Sequence, residues 1–441
     1  MQRRNFIKQS SLTLLGMGVF GSLHSNNKKA AANLNVNGKR IESRIFELAK
    51  FGVDEKGRGY RVAYTQGDIE GRAWFMELMK KAGLNPTIDA AGNIIGKRKG
   101  KNASLKPIGF GSHIDMVPDG GNYDGTLGSL SALEVIEILN ENKIITEHPL
   151  EVIIFGNEEG GTIGSKAIAG LLTEELLKKT SQSGMTMADG IKTIGGNPAN
   201  IQSCIRLKGD LHAWLELHIE QGGILESENI QIGVVEGIVA MMDWDVTIEG
   251  FANHAGATPM NMRKDALLAA SKLVVAVNEV VNSVPGKQVG TVGKITSLPG
   301  ASNVIPGKVI MSLEIRDLSM EKVEFLFTEV QKHAEQIARD SKTKISFEPQ
   351  FVIKPALSNK SLQAKIKSMA EKLNLPNKFM QSGAIHDSQN MSLIAPMAMI
   401  FVPSVGGISH SPKEFTKAED MTNGANMLLQ TILKVDKEFE A

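Results

Sequence analysis

Along the first half of the chain, short unbroken apolar runs alternate with longer stretches of helical period. Ile41, Ile45, Leu48 and Ala49 share one face of a helix over 41–51. A second helix is predicted over 68–84, with Asp68 as its cap, Trp74, Phe75, Leu78 and Met79 inward, and Gly83 closing it. Residues 87–96 read as two short strands about a Gly-Asn turn. A strand over 107–115, a helix over 127–139 and a fully apolar strand over 152–155 follow. Strand, helix, strand is the unit of a parallel sheet. Beyond a helix at 172–179 and a surface segment to 199, the strand 214–222 places Glu216, His218 and Glu220 on one face, and Val234-Val235 continues the sheet.

Near residue 238 the pattern changes. Met242, Trp244, Val246 and Ile248 alternate strictly with Asp243, Asp245, Thr247 and Glu249, as in a half-exposed antiparallel strand. A helix at 265–281, strands at 289–297 and 308–315, an amphipathic helix at 320–339 and a strand at 344–353 complete a βαββαβ order. That order describes a small ferredoxin-like α+β sheet with two helices on one face. We read 240–355 as a lid or dimerisation domain inserted into a catalytic domain made of 33–239 and 356–441. The latter is α/β, a mixed and mostly parallel sheet with helices on both faces. Its second part holds a helix at 362–373, a strand at 397–402 and a closing helix at 421–439.

With 441 residues and a formal net charge of +1, the chain has ample core and no field to attract nucleic acid or an anionic membrane. One cysteine, Cys204, excludes a disulfide framework and a thiolate zinc site within one chain. Residues 1–32 have the layout of an export signal. Arg3, Arg4 and Lys8 precede an apolar run at 12–23 and then Ala30-Ala31-Ala32. Arg3-Arg4-Asn5-Phe6-Ile7-Lys8 resembles a twin-arginine signal, which implies a periplasmic destination, with Gln2 where Ser or Thr is usual. Elsewhere no stretch reads as a stable membrane span.

Candidate chemistry centres on Asn157-Glu-Glu-Gly160, directly after the apolar strand. Open α/β sheets bind ligands at such strand ends, and adjacent carboxylates repel unless a cation or a shared proton offsets their charge. Glu158-Glu159 alone could equally be a solvated turn. Of nine histidines, His24 lies in the leader, and His148, His212 and His333 read as structural. His113, His218, His254, His386 and His410 sit at strand ends or in Gly/Ser-rich loops. His113, Asp124, Glu159, His218 and His410 could gather at one sheet edge. Imidazole and carboxylate donors suit zinc first, with manganese, cobalt or nickel also admissible. Five ligands exceed one tetrahedral ion and fit two ions sharing a carboxylate, leaving Glu158 as general base.

Gly111-Ser-His-Ile-Asp-Met-Val-Pro118, Tyr123-Asp-Gly125, Asn157-Glu-Glu-Gly160, Glu216-Leu-His-Ile-Glu-Gln-Gly222 and Asn253-His-Ala-Gly-Ala-Thr-Pro-Met260 together carry a resemblance. The chain is similar, from about residue 41 onward, to the M20-type dinuclear zinc amidohydrolases, and within them to the amidase/hydantoinase/carbamoylase branch. That branch includes N-carbamoyl-L-amino-acid hydrolases, allantoate amidohydrolases and β-ureidopropionases. The resemblance implies two divalent ions per subunit held by His113, bridging Asp124, Glu159, His218 and His410, with Glu158 as base and Asp115 orienting His113. It implies that Arg316 holds a substrate carboxylate and that Gln221 and His386 touch substrate. It also implies a homodimer in which His254 and Asn303 complete the partner's site, His254 stabilising the developing oxyanion. The implied reaction is hydrolysis of a carbamoyl or ureido C–N bond by a metal-bridging hydroxide, with ammonia released. An aminoacylase or dipeptidase on the same scaffold, and more remotely a binding protein that lacks catalysis, are the alternatives. Ile385 stands where the branch usually has glycine, Ile163 where an aromatic is common and Ser388 where alanine is frequent, so specificity is the property most open to change.

Overall fold

Residues 34–440 are described by a computed structural model, and the export signal expected over 1–32 lies outside them. The first sheet has nine strands. At its centre four parallel strands run side by side in the order Leu150–Phe155, Ile108–His113, Ala213–Ile219, Met397–Val402. Antiparallel strands flank them: Ile94–Arg98 with Thr87–Ile88 on one side, Ile232–Ile238 with Ala356–Leu357 on the other. The strand Asn377–Ser382 pairs in parallel with Ile232–Ile238.

The central strands lack polar alternation because both of their faces are buried. Val152, Ile154, Leu215, Leu217, Ile400 and Val402 join the core beneath the helices Gly38–Leu48, Thr126–Glu141, Lys360–Lys372 and Ala418–Glu438. Ile153, Phe155, Trp214, Met399 and Phe401 point the other way, toward Ile163–Ile168 and Asp387–Met391. The mixed α/β architecture with helices on both faces is therefore as expected.

The second sheet is wholly antiparallel. Its order is Ile295–Leu298, Lys308–Asp317, Ala240–Glu249, Lys344–Ile353, with Val289–Thr291 also on Lys308–Asp317. Trp244, Val246, Ile248, Val309, Met311, Leu313 and Ile315 face the helices Ala266–Ser283 and Met320–Ser341. This is the inserted βαββαβ unit, packed on a core of its own. Ala266–Ser283 is long and apolar enough to cross a membrane by length and composition. Here its Ala266, Ala269, Ala270, Leu273 and Val277 stripe packs inside the insert.

Several boundaries differ from expectation. The helix placed over 68–84 spans Gln66–Lys81; Asp68 sits buried in its first turn and accepts from Tyr64 N at 2.8 Å, while Thr65 is the cap position. The strand expected over 289–297 is split at Val292-Gly293-Lys294. Ala213–Ile219 ends before Glu220, whose carboxylate turns back to cap Ile224 N and Leu225 N at 2.8 Å each; only Glu216 and His218 share the strand face. His148 and His212 stack at 4.0 Å, and His212 Nε2 meets the Phe439 carbonyl at 3.0 Å, beyond the closing helix.

Candidate metal centre

The carboxyl ends of the four parallel strands converge on one point. His113 is the last residue of its strand and Asp124 lies in the loop that follows. Glu158 and Glu159 come just after Leu150–Phe155, His218 is the penultimate residue of Ala213–Ile219, and His410 lies in the loop beyond Met397–Val402. Sheet order thus gathers residues that are far apart in sequence.

Asp124 is the hub. Its Oδ1 lies 3.5 Å from His113 Nε2 and 3.1 Å from His218 Nε2; its Oδ2 lies 3.4 Å from His410 Nε2. His410 Nε2 is in turn 3.5 Å from Glu159 Oε2. Among the described residues, two groups of metal-type donors share Asp124, His113–Asp124–His218 and Asp124–Glu159–His410, and a third, Glu216–His218–His386, shares His218. Glu158 Oε2 approaches His113 Nε2 to 3.7 Å without belonging to any of these groups.

Supporting bonds fix these donors. Asp115 Oδ1 and Oδ2 accept from Glu158 N and Glu159 N, at 3.3 and 3.1 Å, and so hold the Glu-Glu turn. His113 Nδ1 sits 3.1 Å from the Asp115 carbonyl, whereas the Asp115 carboxylate is 3.7 Å away. Asp115 therefore orients the ring through its main chain, and its side chain serves the neighbouring acids. His218 Nδ1 meets the Ile219 carbonyl at 2.8 Å, leaving Nε2 toward Asp124. Such partners set which imidazole nitrogen is free to bind a metal.

Charge at the site is unbalanced. Burial, together with Asp387, Glu159 and Asp115, pushes the Glu158 carboxyl well above the usual range. Burial and then Asp124 push Glu159 up to about 7. For Asp124, burial works against ionisation, yet hydrogen bonds from His113, His218 and His410 hold it well below the carboxylate range. Glu159 Oε1 is buried without a partner. Three imidazoles, two carboxylates and an unpaired buried acceptor fit a divalent cation, whose charge would offset the acids.

One cavity of about 760 Å³ opens over this cluster. Gln221, His386 and Arg316 line it, as expected of substrate contacts. Gln221 Nε2 also donates to Asp124 Oδ2 at 2.5 Å. His386 is buried, its Nε2 3.0 Å from Ser382 Oγ; burial first, then the His218 ring 4.4 Å away, keeps its pKa well below the ordinary value. Arg316, from the insert, donates to Glu314 (Nε–Oε1 2.7 Å) and from Nη1 to the Gly383 carbonyl at 2.8 Å. His254 and Asn303 lie elsewhere. Both are exposed on the insert, joined by the Ala255 N–Asn303 O bond of 3.0 Å, and neither lines the cavity of its own chain.

Sequence reasoning missed Glu414. Its Oε1 accepts from Tyr123 N (2.8 Å) and Asp124 N (3.1 Å), and its Oε2 from Ser409 Oγ (2.8 Å), so it ties the Asp124 loop to the His410 loop. Ser411-Pro-Lys-Glu414 carries no pattern that sets this acid apart from a surface one.

Residues 109–434 match the model of peptidase family M20/M25/M40. An N-carbamoyl-L-amino acid amidohydrolase from Geobacillus stearothermophilus is 36% identical over 402 residues, 90% of this chain and 98% of that protein. A ureidoglycolate hydrolase from Arabidopsis thaliana is 38% identical over 434 residues, 95% of this chain and 90% of that protein. The crystal structure of a hydantoinase/carbamoylase-family amidase from Burkholderia multivorans superposes with a TM-score of 0.84 at 36% identity, covering 91% of this chain and 98% of that one.

Proposed function

Since the chain belongs to peptidase family M20/M25/M40, we propose that it is an amidohydrolase that cleaves the carbamoyl or ureido C–N bond of a small carboxylate substrate and releases ammonia. The observation that carries this reading is Asp124, whose two oxygens face two separate donor groups while Glu158 stands free beside them. His113, Asp124 and His218 would hold one divalent ion, and Asp124, Glu159 and His410 a second, zinc or manganese being the first choices. When bound, such ions supply positive charge that favours ionisation of water and polarises a carbonyl.

The chain's own groups perform the remaining steps. Glu158, 3.7 Å from His113 Nε2 and outside both donor groups, takes the proton of the attacking water and returns it to the leaving nitrogen. Water oxygen bonds to the carbamoyl carbon, the C–N bond to the amino acid breaks, and carbamic acid falls to carbon dioxide and ammonia. Arg316 offers a planar fork to the substrate carboxylate once it turns from Glu314. Gln221 and His386 contact the ureido group. His254 and Asn303, exposed on the insert and outside the cavity of their own chain, would complete the site of a second copy. The working form is then a homodimer, and closure of the insert excludes water. Residues 1–32 direct export to the periplasm.

The experiment is ammonia and amino-acid release by full-length processed protein loaded with manganese or zinc, with metal per chain measured on the same sample. Carbamoyl and ureido compounds are set against matched N-acetyl amino acids and dipeptides. Ammonia with free amino acid from the carbamoyl set supports the reading. Amino acid without ammonia, from the acetyl or peptide set, replaces it with an acylase or peptidase.

A further inference from the structure

Part of the cavity lining is aliphatic and exposed. Leu171, Val352 and Leu393 form this wall while 44%, 53% and 52% exposed, and Ile385 stands with them. A single exposed aliphatic side chain is ordinary; three around one cavity mark a binding surface. Val352 comes from the insert, where the pairing of Lys344–Ile353 slips by one residue between Pro349 and Phe351. Bulges of this kind re-aim the side chains beyond them.

Most polar side chains beside this wall donate within the protein, while Gln389 Oε1 is buried without a partner among the described residues. Ser392 Oγ donates to the Gln389 carbonyl (2.7 Å) and Gln389 Nε2 to the Lys354 carbonyl (2.6 Å). Asn390 Nδ2 donates to Thr162 Oγ1 (3.0 Å) and Ser165 Oγ (2.9 Å), and Lys166 Nζ to the Gly161 carbonyl (2.8 Å). A ligand group that reaches this wall meets hydrocarbon and few free partners.

Resting on the carbamoyl chemistry above, we infer that the substrate is an N-carbamoyl-L-amino acid with an apolar side chain, which Leu171, Ile385, Leu393 and Val352 enclose. The scissile carbonyl belongs at the acid–histidine cluster and the carboxylate at Arg316, and both line this cavity. With those two ends held, the substituent on the α-carbon is what remains to fill the wall. A leucine-like group loses water there and gains contacts. Allantoate would bring its second ureido group to the same place, where mostly aliphatic side chains pair its N–H and C=O groups poorly. Ile385 adds bulk on the apolar side.

The test compares kcat/KM of the manganese-loaded full chain for N-carbamoyl-L-leucine, N-carbamoylglycine, N-carbamoyl-L-aspartate and allantoate, read as ammonia. The leucine compound should exceed the glycine compound by about 10–100-fold, the range that an apolar pocket confers, with aspartate and allantoate below it. Leu393→Ala, at an exposed position where folding is not at risk, should lower the leucine-to-glycine ratio by roughly 3–10-fold. Glycine, aspartate or allantoate used as well as leucine overturns the inference and leaves the carbamoyl reading standing. An unchanged ratio in Leu393→Ala overturns the assignment of this wall. Ammonia from none of the four compounds defeats the carbamoyl reading itself.

Discussion

Gly125 holds φ +61° and ψ −42° directly before the helix Thr126–Glu141, and its missing side chain makes room for His113. A Cβ there would lie 2.3 Å from His113 Cε1 and Nε2 and 2.4 Å from Cδ2. Ordinary contacts are about 3.5–4.0 Å, so in Gly125→Ala the ring must retreat by about 1 Å or more. It is poorly placed to do so, being 1% exposed with Nδ1 held on the Asp115 carbonyl at 3.1 Å. An L-residue held at this sparsely populated φ/ψ costs about 1–3 kcal/mol, and overpacking about 1–3 kcal/mol. Together these cost about 2–6 kcal/mol, toward the lower end of the ~5–15 kcal/mol of a typical domain, so the variant should fold with reduced stability. The displaced atom is the nitrogen that faces Asp124, so the larger loss falls on metal binding. Gly57→Ala is the control: φ is +76° and nothing lies within 4 Å of its Cβ, so it carries strain without a clash. We expect metal affinity and ammonia release to fall by about 10–100-fold in Gly125→Ala. Gly57→Ala should lose only stability, measured by denaturant midpoint. Wild-type metal content and turnover in Gly125→Ala would refute the placement of His113 as a ligand, or the rigidity assigned to its cage.

Three further outcomes are expected. Glu158→Gln should retain metal and lose about 10²–10⁴-fold in kcat; turnover within a few-fold of wild type removes Glu158 as the base. Arg316→Lys should raise KM for carboxylate substrates by about tenfold or more through loss of the two-pronged contact, with little change in metal content; an unchanged KM places the carboxylate elsewhere. Burial, and then the stacked His148 ring, lower the pKa of His212 below 6.5, so the folded state prefers its neutral form. That preference stabilises the fold fully above about pH 6.5 and is lost as pH falls through that value toward the folded pKa. Denaturant titrations at pH 7.5 and 5.5 should show a smaller difference for His212→Gln than for wild type; an equal difference refutes the linkage.

The residues that converge at the site were legible because each lies at or just beyond the carboxyl end of a buried strand, and parallel order brings such ends together. Val152–Phe155 and Trp214–Ile219 declare themselves by apolar content, since both faces of the sheet are covered. Asn377–Ser382 was not legible: Asn-Lys-Phe-Met-Gln-Ser has only two apolar residues, and its partner on the sheet decides its conformation. The end of a strand was equally hidden. Nothing in Glu-Leu-His-Ile-Glu-Gln announces that Glu220 leaves the ladder to cap a short helix, and periodicity extends past the true end. Glu414 escaped because Tyr123 N and Asp124 N, 291 and 290 residues away in the chain, are brought to it by tertiary packing.

The strand Met397–Val402 lies between Ala213–Ile219 and Ile232–Ile238, although the whole insert separates it from them in the chain. During synthesis the growing polypeptide therefore carries an open slot in the middle of its sheet, beside His218, while the insert is made. His113, Asp124 and His218 are all present by then, but His410 is not. A nascent chain can assemble one donor group early and the other only after the late strand has slid into place. The order of the strands thus makes the second donor group depend on the last part of the chain, while the first is drawn wholly from what precedes the insert.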